Sequence, residues 1–393
     1  MLMENAKPVR TAEERSRAPL FHITKRLSIP KWEAWLIRFL SFLGALVLIA
    51  LFAYLTFGIN PLDLYKTMFK GAFLGKNYLI PTLKASAKLL CIAVALAPAF
   101  KMKFWNIGAE GQVLAGAMAA AFIMHEFPLL PNGLLLLIMC VAGIVAGGVW
   151  GFIPAAFKSR FGTNETLFTL MMNYIAAKIV DYFYNSWKGV KSALGMINGN
   201  MLQKATFEKG YLRYLWRDSA SSAWYQSEDT WFIIIAASLA AAMYFYLKNT
   251  KQGYEIAVVG DSQATARYAG ISVNRVVIRT MIISGALCGL CGFLTVSAQS
   301  HTVSSEIASG YGFTAIIVAW MSKFNTLVMA GVAVMLVALE NGSQAVTNAF
   351  YATTGFPTSS ASVISGIFLF VIIGSEFNIN YKINFRRKTR EEA

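Results

Sequence analysis

The sequence predicts an all-α fold, a polytopic transmembrane bundle of about ten spans, and three observations carry that expectation. Hydrophobic residues make up 56% of the 393 residues and charged ones only 14%, against about 25% in soluble domains, so long segments need a solvent other than water. The apolar residues gather in near-continuous runs, most of them long enough to cross the roughly 30 Å of bilayer hydrocarbon as helix. The net charge of +15 collects between and beyond those runs instead of along one water-facing surface, which fits membrane topology and argues against nucleic acid as a partner.

Residues 1–35 form a polar segment with Lys7, Arg10, Arg15, Arg17, Lys25, Arg26 and Lys31, and the tail 381–393 carries Lys382, Arg386, Arg387, Lys388 and Arg390. Basic flanks mark the cytoplasmic side, so both ends are expected inside and the number of spans even. The leading segment is too long and polar, and lacks the small-residue cleavage site, of a signal peptide, so the first apolar run is expected to remain as an anchor. Within a transmembrane domain at 36–380, spans are expected near 36–58, 80–99, 107–126, 133–156, 166–186, 230–248, 275–298, 311–321, 325–345 and 360–375. The eighth is too short to cross as a straight helix and reads as a half-span, a re-entrant piece or part of a broken helix shielded by protein.

With the N-terminus inside, even-numbered spans end in the cytoplasm, which puts Lys101, Lys103, Lys158, Arg160, Lys323 and the 249–274 segment on that side. The 187–229 loop falls outside despite Lys188, Lys191, Lys204, Lys209, Arg213 and Arg217, a loop long enough to be weakly constrained by charge. Trp187, Trp216, Trp224 and Trp231 form either an interfacial belt or a docking surface, the belt being the plainer reading. Gly143, Gly147 and Gly151 in one run, and Gly285 and Gly289 in another, give helical stripes that let a second backbone approach closely. Cys288 and Cys291 form a C-x-x-C among small residues and read as packing residues rather than a redox pair.

No Gly-rich phosphate loop ending in Gly-Lys-Ser/Thr occurs in the sequence, so any ATP is handled by a partner subunit and this chain is expected to hold no cofactor. His22, His125 and His301 are far apart, no metal-ligand or nucleophile motif is present, and no catalytic role is expected. Ionisable groups at membrane depth are expensive unless they pair or face water. Glu110, Gln112, Glu165, Asn173, Glu340, Asn341 and Gln344 are therefore candidates either to line a substrate pathway or to bridge helices, two readings of equal weight for the glutamates. Asn106 and Asn164 read as helix caps, with Gly108 and Gly111 in the same motif.

Phe104-Trp105-Asn106-Ile107-Gly108-Ala109-Glu110-Gly111-Gln112 resembles the F-N-I-G-A-E-G-Q signature of permease subunits of bacterial nucleoside and simple-sugar ABC importers, within the branched-chain amino acid/ribose permease superfamily. Further matches follow in order. Asn164-Glu165-Thr166 with Thr169-Leu170-Met171-Met172-Asn173-Tyr174 is similar to that family's N-E-(V/T)…T-L-M-(L/M)-N-Y stretch. Gly260 through Ala266-Arg267-Tyr268-Ala269-Gly270-Ile271 resembles its G-x-N-x-x-A-A-x-Y-A-G-I loop, and Gly310-Tyr311-Gly312-Phe313 with Ala315-Ile316 its G-Y-G-F-D-A-I segment. The departures are Trp105 between Phe and Asn, Ser262 for Asn, Thr265 for the first Ala of a pair, and Thr314 for Asp.

The resemblance implies a pathway for a nucleoside or related sugar-bearing solute in the bacterial cytoplasmic membrane. It implies three partners besides membrane lipid: a cytoplasmic ABC ATPase, a second paralogous permease, and an extracytoplasmic substrate-binding lipoprotein. It also implies that Gly260, Asp261, Ser262, Ala264, Thr265, Ala266, Arg267, Tyr268, Ala269 and Gly270 couple to the ATPase. The residues themselves support a short helix there: Asp261 or Ser262 can cap it, Gly270 can end it left-handed, and Ala264, Ala266 and Ala269 give it low-profile faces for docking. Two other readings stay open, an ion-coupled secondary transporter using carboxylates such as Glu110 and Glu165, and a non-transporting membrane scaffold.

Overall fold

The computed structural model describes residues 21–26, 29–127, 129–187, 229–300 and 303–385, and they fold into two compact units. The basic residues Lys7, Arg10, Arg15 and Arg17, most of the 187–229 loop with Trp216 and Trp224, and Arg386–Arg390 lie outside the described residues.

One unit takes the described chain up to Thr67 and again from Val346. It holds β1 (Phe21–Lys25), α1 (Lys31–Phe57), the start of α2 (Pro61–Phe73), the end of α12 (Thr326–Thr354), α13 (Ser359–Asn380) and β2 (Tyr381–Phe385). Helix α1 stops where Gly58 turns left-handed at φ 67°, with Gly58 N–H on Tyr54 O and Ile59 N–H on Ala53 O, the pattern that closes a helix end. Helices α1 and α13 pack together through Phe42 edge-on to Phe368 at 5.8 Å and through Arg38, whose Nε and Nη2 donate to Glu376 Oε1 at 2.9 and 2.7 Å. Strand β1 pairs antiparallel with β2, from Phe21 opposite Phe385 to Lys25 opposite Tyr381. The sequence reading had only polar tails there.

The other unit, residues 68–345, holds α3 (Lys76–Lys101), α4 (Ala109–Glu126), α5 (Asn132–Phe161), α6 (Glu165–Trp187), α7 (Asp229–Asn249), α8 (Lys251–Asp261), α9 (Gln263–Tyr268), α10 (Val273–Leu294) and α11 (Tyr311–Met321), with the rest of α2 and α12. Helix α10 continues into a wider π-helical turn, Thr295–Ser300. Its core is a glycine seam. A Cβ built on Gly147 or on Gly285 would lie 2.3 Å from the other's carbonyl oxygen, and one on Gly289 2.1 Å from Gly143 O, so α5 and α10 touch backbone to backbone. Helix α4 joins the seam at Gly116, where a Cβ would lie 2.4 Å from Gly289 Cα. The stripes read from the sequence thus meet each other, with Cys288 and Cys291 buried alongside as free thiols.

Each of the ten expected runs falls on a helix, and seven of these helices are long and apolar enough to cross a membrane. The other three are α4 and α6, which carry Glu110, Glu126, Lys178 and Asp181, and α11, which has 11 residues. Helices α2 and α8 were not anticipated, being amphipathic pieces between the apolar runs.

Candidate functional site

The site begins with a lock that fixes the start of α4. Asn106 Oδ1 accepts from Gly108 N–H at 3.0 Å, and its amide reaches Gln112 and Ser284 at 3.4 Å. From α6, Asn173 accepts from Gly111 N–H at 2.8 Å and donates to Ile107 O at 2.9 Å, while Thr169 Oγ1 accepts from Ile107 N–H at 3.2 Å. Asn106, Gln112 and Asn173 are buried, and Gly111 has no room for a side chain, since a Cβ would lie 2.9 Å from Asn173 Oδ1. Among the described residues the Gln112 side chain bonds only to Asn106, just ahead of its own helix, whereas Asn173 joins two helices. So does Glu165, which pairs with Lys158 at 2.8 Å across the α5–α6 turn, where Asn164 Oδ1 accepts from Thr166 and Leu167 N–H.

That lock presents Glu110, in the first turn of α4, to a break in the chain. Between the π turn and α11 the backbone runs irregularly through 303–310, ending in left-handed Ser309 and Gly310 at φ 59° and 71°. Glu110 accepts from Gly310 N–H at 3.0 Å and from Gly312 N–H at 2.8 Å, so a carboxylate satisfies donors at the exposed start of α11. Gly312 is bound to be glycine by this contact, because a Cβ there would lie 2.5 Å from Glu110 Oε2 and 2.6 Å from its backbone nitrogen. From halfway along α3, Lys88, only 6% exposed, donates to Ile307 O and to Ser309 Oγ at 3.1 Å, and its ammonium lies 5.5 Å from the Tyr311 ring centroid. Lys88 and Glu110 are near enough for their charges to attract. Irregular backbone at membrane depth survives only if its polar groups are met, and these two side chains meet them.

Helix α12 closes the site. Tyr311 Oη donates to Glu340 Oε2 at 3.4 Å, and Asn341 Nδ2 donates to Thr82 Oγ1 of α3 at 2.9 Å. Glu340 and Gln344 lie one turn apart and are exposed. The structure thus gathers Glu110, Glu340 and Asn341 around α3 and α11 and sets Gln112, Glu165 and Asn173 apart from them. The sequence reading missed Lys88, although a lysine inside the 80–99 run is the intramembrane charge that the rule on such groups singles out.

At the end of the bundle where α3, α5 and α7 finish and α10 starts, α8 and α9 form a cap. Gly260 of α8 abuts Lys101 O, where a Cβ would lie 2.2 Å away, Arg279 pairs with Glu255 at 2.9 Å, and Asn274 Nδ2 donates to Ser159 O. Ser262, not Asp261, caps α9 by accepting from Thr265 N–H at 3.2 Å, and Gly270 ends it at φ 75° with Ile271 N–H on Ala266 O. One expectation is corrected. Ala266 is fully buried against its own chain, so it anchors α9 and cannot belong to an outer docking face; Gln263, Ala264, Thr265, Arg267, Tyr268, Ala269 and Gly270 are exposed, Tyr268 at 95%. Near the same end, Trp105 stacks on Trp320 at 5.4 Å, which gives the residue inserted in the first motif a structural partner.

Comparison with known proteins agrees with this architecture. Residues 78–374 match the family described as branched-chain amino acid transport system / permease component. A glucose ABC transporter permease protein of Haloferax volcanii is 26% identical over 91% of this chain and 92% of its own length. A nucleoside ABC transporter permease protein of Lactococcus lactis is 28% identical over 84% and 86%, and a guanosine ABC transporter permease protein of Bacillus subtilis 27% identical over 82% and 88%.

Proposed function

Because the chain belongs to the branched-chain amino acid transport permease family, we propose that it forms the membrane pathway of an ABC importer for a nucleoside or related sugar-bearing solute. The observation that carries this reading is the broken crossing before α11, where Lys88 and Glu110 hold irregular backbone and Glu340 faces outward beside it. Broken helices at mid-membrane are how transporters build solute sites. A separate cytoplasmic ATPase supplies the energy, a second paralogous permease completes the pathway, and an extracytoplasmic lipoprotein delivers the solute. The relatives' nucleoside and glucose substrates support the solute class.

In this reading the chain sits in the bacterial cytoplasmic membrane with 187–229 outside and both termini and 249–274 inside, α9 offering its exposed face to the ATPase. The β1–β2 pair supports the parity, because strands that pair must lie on one side of the membrane. Seven crossings would part them; adding α4, α6 and the broken α10–α11 return restores an even number.

The test is uptake into proteoliposomes holding the permease pair, its ATPase and its receptor, with guanosine, uridine and glucose as probes. ATP-dependent uptake of one of them is expected. Uptake without the ATPase would instead establish secondary transport, and an assembled complex that moves none of them would favour a scaffold.

A further inference from the structure

The polar groups at membrane depth can be followed one by one, and nearly all are occupied within the chain. Glu110 is held by two N–H groups, Lys88 by Ile307 and Ser309, Asn341 by Thr82, and Asn106, Gln112 and Asn173 by one another and by α4. Among the described residues Trp150 Nε1 and Thr280 Oγ1 are buried without a partner, and on α12 Glu340 and Gln344 are exposed polar side chains left largely open. An ionised carboxylate has about four acceptor positions, and among the described residues Glu340 meets only the Tyr311 hydroxyl. Gln344, one turn further on, has no hydrogen bond among the described residues, and both side chains are exposed. They sit about halfway along the 29-residue α12, whose opposite side is packed: Cβ atoms at Gly342 and Gly71 would lie 2.8 Å from Met68 O and 2.1 Å from Ala345 Cβ.

A carboxylate at the centre of a crossing helix is costly in lipid, and an open amide beside it adds to that cost. Water, or a ligand rich in hydroxyl groups, removes it. From this geometry we infer that Glu340 and Gln344, with Tyr311, form a water-facing station at mid-membrane that binds neighbouring hydroxyls of a neutral solute. Glu340 accepts from a vicinal diol, Gln344 supplies a donor and an acceptor to the same ring, and Tyr311 holds Glu340 in place. Lys88 is tied to Ile307 O and Ser309 Oγ, so the charges left open are carboxylates, Glu340 and, in the 303–310 stretch, Glu306, and the station disfavours anionic solutes. The inference rests on the importer reading for its solute, whereas its aqueous and electrostatic parts can be read without transport.

Gln344→Cys is made in the otherwise native chain, assembled with its partners, and labelled with water-soluble methanethiosulfonates; the unsubstituted chain gives the background. Val149→Cys, on an exposed apolar face of α5, is the control. Expected is modification at 344 and not at 149, with the trimethylammonium reagent faster than the sulfonate by about tenfold through attraction to Glu340. Glu340→Gln should bring that ratio near one. Guanosine should slow labelling at 344, and 2′,3′-dideoxyguanosine, which lacks the diol, should not. No labelling at 344, or a charge ratio unmoved by Glu340→Gln, overturns the station. Equal protection by both nucleosides, or by neither, overturns diol binding. If labelling behaves as expected while no probe is taken up with ATP, the importer reading fails and the aqueous station stands.

Discussion

At Glu110 one carboxylate meets two backbone N–H groups, and glutamine could serve only one of them, since its NH₂ would face the other donor. Hydrogen bonds to a charged group are worth about 1.5–3 kcal/mol each, so Glu110→Gln should loosen the start of α11 and lower uptake per assembled complex by about tenfold or more. Unchanged uptake would show that the charge is dispensable. Gly312→Ala tests the same contact sterically: the Glu110 carboxylate can swing aside but its backbone nitrogen, 2.6 Å from the added Cβ, cannot. Overpacking of that kind costs about 1–3 kcal/mol, and thermal unfolding of the complex should fall by several degrees, whereas Gly366→Ala, with open space around it, should change little. The motif containing Glu110 was legible in the sequence as polar residues among glycines. Its job was not, because the partners, Gly310 and Gly312, are 200 and 202 residues away and contribute only backbone.

Helix α9 shows where legibility stops at the scale of an element. Its ends follow from local chemistry, a serine able to accept from Thr265 N–H and a glycine able to turn left-handed, and both were readable. Which side faces inward was not, because alanines occur on several sides and a helix this short has no periodicity to orient it. Burial makes Ala266 the anchor. Ala266→Glu should therefore destabilise the chain itself, lowering its yield from the membrane with or without the ATPase, because an unpaired charge would enter a closed site. Tyr268→Ala and Ala264→Glu change exposed positions and should leave the chain stable while reducing ATPase co-purification and uptake together. If both bind the ATPase and transport normally, α9 is a passive connector.

Over the whole molecule, hydropathy located the helices because lipid imposes one requirement on every crossing segment, but the number of crossings needs more than hydropathy. Helices α4 and α6 carry charges that lower their apolar score, and α11 is short because its crossing is shared with the irregular 303–310 stretch. A count by length and apolarity gives seven, which puts the termini on opposite faces, yet β1 and β2 pair residue by residue from Phe21–Phe385 to Lys25–Tyr381. Seven crossings and that pairing cannot both hold. Single cysteines at Thr24 and Lys382, both exposed and directly opposite in the strand pair, decide between them. With an even number of crossings and the basic flanks inside, a membrane-impermeant maleimide applied to intact cells should label neither, nor a cysteine at Tyr268, while it should label one at Leu129, exposed between α4 and α5. Permeabilised cells should then show all four. Labelling of 24 and 382 from opposite sides would dissolve the strand pair and restore an odd count. Labelling of 24, 382 and 268 from outside, with 129 protected, would keep the parity and invert the orientation, which would move α9 away from any cytoplasmic ATPase.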